Sequence, residues 1–307
     1  MLKKFLSAIK HTHLSRFSRC FAAFAILLLL AACSGSPAPA SPTTADASPQ
    51  PVIVPSELVV GRNSFAVGLI EPGKGPIKDA RVRLRYFDLS NPSAPTLESE
   101  ADAEQITTPD GMTAVYAHER EFKRAGSWGV EITARLANGK TQTSRVQFTV
   151  LASSATKKIG DPAPMLETPT AADVSNDLTR LTSATKPNPT FYQLSLAQAL
   201  RNGKPTLLIL ATPAFCQTRF CGPAYDVASA VQQKYPDAFN WIHVEVYTDL
   251  PHPDLGHPKL APAMRAFGVN TEPWIFVMDK SGAIVYRVEG LVTQEEIERH
   301  LKPLIGP

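Results

Sequence analysis

From about Leu58 to Leu151 apolar side chains fall on every second residue, and no long helix-period stretch interrupts them. Ala80-Arg81-Val82-Arg83-Leu84-Arg85-Tyr86 sets Val82, Leu84 and Tyr86 on one face and three arginines on the other. Trp128, Val130, Ile132 and Ala134 alternate in the same way with Gly129, Glu131, Thr133 and Arg135. Asn138-Gly139 follows, then Val146, Phe148 and Val150, and Asp110-Gly111 marks an earlier turn. A period of two belongs to a strand with one buried face, and Asn-Gly between such runs is a hairpin signal. Strands joined by short turns, with no crossover helix, pair antiparallel and bury their apolar faces against a second sheet. The segment 57–151 is therefore expected to be an all-β sandwich. Arg81, Arg83 and Arg85 would form a solvated sheet face or meet an acidic partner.

The pattern changes further along. Residues 152–189, with G-D-P-A-P and K-P-N-P, predict a loose linker. Ser195 then caps a short helix that ends before Gly203. Thr206-Leu207-Leu208-Ile209-Leu210-Ala211 is apolar without alternation, as a strand buried on both faces requires. A loop with Cys216 and Cys221 leads into a helix started by Pro223. A strand is expected over Trp241 to Tyr247, a helix over Ala261 to Phe267, and strands over 274–278 and 284–288 around an Asp279-Gly282 turn. Thr293 opens a last helix with Glu296 in the capping-box position.

This order resembles the thioredoxin superfamily over about Phe191 to Leu304. The likeness is carried by L-L-I-L-A-T-P-A-F-C, by C-G-P opening a helix, by the T-E-P-W junction and by M-D-K-S-G-A-I-V. The fold class expected is multidomain: an N-terminal immunoglobulin-like β-sandwich, lacking that fold's cysteine pair, and a C-terminal α/β thioredoxin-like domain over 190–307. The resemblance implies that Pro273 is cis and faces the cysteines, with Glu272 offering its backbone to a bound peptide. A cis bond is cheap only before proline.

F-C-Q-T-R-F-C-G-P departs from thioredoxin, because four residues rather than two separate the cysteines. Counted from the strand, Cys216 takes the attacking place; counted from C-G-P and the helix, Cys221 takes it. A helix N-terminus would favour a Cys221 thiolate, and Arg219 a Cys216 thiolate. Either sulfur is expected to attack while the other resolves. A structural staple would contribute only about 2 kcal/mol for so short a loop. The remaining alternatives are non-enzymatic: a protein-docking module presenting Glu272-Pro273 and the β-domain, or a soft-metal site in which Cys216 and Cys221 with His252 or His257 would hold copper, as in copper-delivering relatives of the fold. Otherwise no cofactor is expected. No G-x-S-x-G, H-E-x-x-H or phosphate-cradling glycine loop occurs.

The N-terminus decides the compartment. Lys3, Lys4, Lys10, Arg16 and Arg19 precede the apolar run Phe21–Leu30 and then Leu30-Ala31-Ala32-Cys33. A basic lead, a short apolar core and small residues form a secretory signal, expected over 1–32. L-A-A-C resembles the lipobox of bacterial lipoproteins, which implies cleavage before Cys33 and lipidation of its thiol. Residues 33–56, rich in Ser, Pro and Ala, then form a tether. The protein is expected outside the cytoplasm, lipid-anchored to a bacterial membrane, where disulfides persist. Its expected partners are exported protein thiols or disulfides. The 31 basic and 28 acidic residues give +3, but five of the basic ones and no acids precede Cys33, so a chain starting there carries −2. That removes the electrostatic footprint of a nucleic-acid binder.

Overall fold

A computed structural model describes residues 49–306, apart from Pro109 and Gln217. The expected signal, Cys33 and most of the tether lie outside the described residues. The described residues belong to one compact unit, Asp46–Pro307.

Nine strands come first: β1 (Gln50–Ile53), β2 (Gly61–Glu71), β3 (Gly75–Pro76), β4 (Ala80–Asp88), β5 (Thr96–Asp102), β6 (Glu104–Thr107), β7 (Ala114–Phe122), β8 (Gly126–Leu136) and β9 (Thr141–Val150). They form two antiparallel sheets, β1-β2-β7-β6 with β3 on β2, and β5-β4-β8-β9. Between them lies one core in which Phe65, Val67 and Tyr116 of the first sheet meet Val82, Leu84, Tyr86, Trp128, Val130 and Ile132 of the second. Those of the second sheet are inward positions that the alternation marked.

Two of the three arginines on β4, Arg83 and Arg85, find acidic partners within their own sheet. Arg83 pairs with Glu100 at 2.5 Å and Asp102 at 3.1 Å, and Arg85 with Glu131 at 2.7 Å. Glu131 is buried because Arg85 and Arg145 both reach it, and Arg145 first, then Arg85, hold its carboxyl below the usual range.

The second half runs α1 (Leu196–Arg201), β10 (Thr206–Ala211), α2 (Cys221–Lys234), β11 (Asn240–Glu245), α3 (Pro262–Phe267), β12 (Trp274–Met278), β13 (Ile284–Glu289) and α4 (Gln294–Ile305). The sheet order is β11-β10-β12-β13, with β10 parallel to β11 and antiparallel to β12. The succession of helices and strands along the chain is the expected one. Leu207, Ile209 and Ala211 of β10 pack with α2 and α4, while Leu208 and Leu210 pack with α1 and α3. Burial on both faces explains why that strand is apolar throughout. Ser195 and Gln198 form a complete capping box. At α4 only half of one forms, because the Glu296 carboxylate instead accepts from the Tyr286 hydroxyl at 2.7 Å.

Two expectations need correcting. The end of the supposed tether is a strand: β1 pairs with β2 from Gln50↔Ile70 to Ile53↔Val67. Pro51 is tolerated there because β1 is an edge strand. Residues 152–189 are packed rather than loose. Ala171, Val174 and Leu181 enter the core under α2, Ala163 enters the opposite core, and Pro162 bridges to Ala283. The segment carries its apolar anchors on short 3-10 turns, Ala172–Val174 and Leu178–Arg180, among Pro, Ser and Thr whose composition reads as a linker. Among the described residues no helix is long and apolar enough to cross a membrane.

Candidate active site

Cys216 and Cys221 sit where β10 runs into α2, both as free thiols. The helix begins at Cys221 itself, so Pro223 occupies its third position rather than its first. Cys221 is fully buried under the sheet, whereas Cys216 is partly open. The Cys221 backbone N–H donates to the Cys216 sulfur at 3.4 Å, and the Thr218 hydroxyl lies 3.2 Å from it. These donors, with the Cys221 thiol first among them, bring the Cys216 pKa down to about 5 against the opposing effect of burial. Burial, and then the neighbouring Cys216, push the Cys221 thiol far above the ordinary range.

The structure thus separates two thiols that the sequence left equivalent. The helix start does not activate Cys221, because removal from water outweighs the dipole there. Hydrogen bonds rather than Arg219 lead the lowering at Cys216; the Arg219 charge acts on Asp110.

The Glu272–Pro273 bond is cis. A Glu272 carboxylate oxygen and both sulfurs all lie within 4.8 Å of one another. Burial, then the Cys216 charge, raise the Glu272 carboxyl to about 7. Glu272 entered the sequence reading only through its backbone, and its side chain was missed. A carboxylate directly before the proline of T-E-P-W was the available signal.

Glu245 was missed as well. It ends the otherwise largely apolar strand W-I-H-V-E, is buried, and accepts from the Ser183 N–H at 2.8 Å and the Ser183 hydroxyl at 2.9 Å. The same hydroxyl oxygen accepts from the Ala214 N–H at 3.0 Å. Ser183, in the segment once read as linker, therefore ties the cysteine loop to β11. His243 is packed between Tyr192 and Tyr225, with Nδ1 accepting from the Tyr192 hydroxyl at 2.8 Å and Nε2–H donating to the Ala211 carbonyl at 3.0 Å. Burial lowers its pKa to about 4, so it is neutral and structural.

His252 and His257 lie in the loop between β11 and α3 and do not join the cluster at the sulfurs. His257 is exposed and faces Asp254 at 3.3 Å.

No family model matches the chain, and no curated protein matches it. Solved structures similar to parts of it include the PmoD soluble domain from a Methylocystis species, at 21% identity and TM-score 0.23, covering 31% of this chain and 75% of that one. A thioredoxin-family thiol:disulfide interchange protein from Chlorobium tepidum is 18% identical with TM-score 0.32, covering 49% and 99%. A human fibronectin type-III domain is 13% identical with TM-score 0.22, covering 38% and 94%. The likenesses are partial; the fold stands on the sheet orders and cores described above.

Proposed function

We propose that the protein is an extracytoplasmic thiol–disulfide exchange protein, tethered to a bacterial membrane through a lipid on Cys33. The observation that carries the reading is the asymmetric pair: a partly open thiol held as thiolate beside a sealed, protonated one. Cys216 is the nucleophile, Cys221 the resolving thiol, and the Glu272-Pro273 junction the wall against which a substrate segment lies.

The Cys216 thiolate attacks a substrate disulfide, forms a mixed disulfide and releases the first substrate sulfur as thiolate. Cys221 then loses its proton to Glu272 and attacks the Cys216 sulfur. The second substrate sulfur leaves, and Cys216–Cys221 is oxidised. The substrate gains two electrons and the pair loses two; run backwards, the same steps oxidise substrate thiols, with protonated Glu272 returning the proton to Cys221. Replacing Glu272 by glutamine is expected to slow release from the mixed disulfide about 10-fold or more while leaving capture unchanged. Stopped-flow with a peptide disulfide separates the two phases.

The reading as a whole is tested by equilibrating the protein in glutathione buffers and counting alkylated cysteines by mass. A midpoint within the range of exchange proteins, roughly −120 to −270 mV, supports it; a pair still oxidised below about −300 mV is a structural staple. Among the described residues, the one candidate metal-holding cluster is Cys216, Cys221 and Glu272, without His252 or His257. His252→Ala and His257→Ala are accordingly expected to leave any Cu(I) affinity of the reduced protein unchanged, as measured by competition with a chromophoric chelator.

A further inference from the structure

The first sheet of the sandwich is buried on both faces, which a sandwich alone does not require. Phe65, Val67 and Tyr116 point into the sandwich core. Their alternates Ala66, Val115 and Ala117, with Ile106 of β6, point outward, yet all four are less than a tenth exposed. What covers them is Leu291, together with Val54 and Phe220. Phe220 is the residue directly before Cys221, one of the four that separate the cysteines.

The loop reaches the sandwich by a local reversal. Arg219 takes φ +64°, a left-handed conformation uncommon for a residue with a side chain. Phe220 then lies over Gly290, whose φ is +90° and where an added Cβ would come within 3.6 Å of the ring. The peptide that follows Phe220 carries the Cys221 N–H that donates to the Cys216 sulfur. A continuous path therefore runs from Ile106, Val115 and Ala117 through Phe220 to one of the donors on the reactive sulfur.

We propose that the β-sandwich is a working part of the redox centre: its outer sheet face clamps Phe220 and so holds the Cys221 N–H on the Cys216 sulfur, setting the reactivity and redox poise of the pair. Phe220 and Ile106 are positioning residues, not catalytic ones. The proposal rests on the exchange reading, and its test keeps the two separable.

The test uses Phe220→Ala, Phe220→Leu, Ile106→Ala and, as a control, Val130→Ala in the inner core of the sandwich. Two readouts apply: the equilibrium constant with glutathione, and the rate at which Cys216 of the reduced protein is alkylated at neutral pH. Phe220→Ala is expected to shift the equilibrium about tenfold toward the disulfide, close to 30 mV, and to slow alkylation several-fold. Ile106→Ala should shift both the same way but less, Phe220→Leu should restore most of the effect, and Val130→Ala should lower Tm without moving either. If Phe220→Ala and Ile106→Ala leave both readouts within twofold of wild type, or if Val130→Ala moves them equally, the contact is only structural and the proposal falls. Should Phe220→Ala not fold, Ile106→Ala decides. A wild-type disulfide that resists glutathione would overturn the exchange reading alone, because the alkylation rates of chemically reduced protein still report on the clamp.

Discussion

Cys216→Ser abolishes capture of a substrate disulfide, whereas Cys221→Ser leaves capture intact and freezes the product as a mixed disulfide. This is the expected result when both variants are mixed with a peptide disulfide and weighed by mass spectrometry. The opposite pattern would show that Cys221 attacks, as the register counted from C-G-P suggests. The difference follows from solvation: Cys221 is sealed beneath the sheet, while Cys216 keeps an opening and collects donors from Cys221 and Thr218. The pH dependence has a definite sign. With a pKa of about 5, Cys216 is thiolate at neutral pH, so alkylation falls only as pH drops through about 5; an ordinary thiol loses reactivity below about 8.5. The reduced form is therefore stabilised above pH 5, increasingly so up to the ordinary thiol range, and the advantage is lost as pH falls back through 5. At pH 7 this makes the pair roughly 30–60 mV more oxidising than an unperturbed dithiol, the lower figure allowing for solvent screening at a partly open sulfur.

How much of this was legible depended on how local the cause was. Alternation gave Val82, Leu84 and Tyr86, and two-sided burial gave Leu207 to Ala211, because each pattern is set by the geometry of one strand. The cap at Ser195 and the cis bond at Pro273 are also decided by a few neighbouring residues. What stayed hidden came from distant packing. Val115 and Ala117 alternate with Tyr116 as small apolar residues, and only the approach of Phe220 shows why that outer face is apolar. The ionisation order of Cys216 and Cys221 depends on how the loop folds over the sheet, and the spacing of the cysteines holds no information about that. Ala171, Val174 and Leu181 anchor a segment whose composition resembles a linker, since short 3-10 turns rather than a long helix or strand carry them into the shared core.

That packed segment supplies the largest stability effect expected. Gly268 closes α3 with φ +70°, and an alanine Cβ there would stand 1.9 Å from the Ala155 carbonyl oxygen. The approach is held by the Lys157 N–H donating to Phe267 O at 2.9 Å and the Thr156 hydroxyl donating to Gly268 O at 3.0 Å. Gly268→Ala must therefore bear both left-handed strain and a clash with main chain that cannot rotate away, on the order of 2–4 kcal/mol. Gly203 offers the matched control: its φ is +75°, and nothing lies within 4 Å of an added Cβ. Gly203→Ala carries the strain alone, on the order of 1 kcal/mol. Thermal unfolding should place Gly268→Ala roughly 5–15 °C below wild type and Gly203→Ala only a few degrees below. Equal losses would mean that residues 155–157 do not sit against α3. Unequal losses are the expected result, because residues 155–157 lie directly against the end of α3.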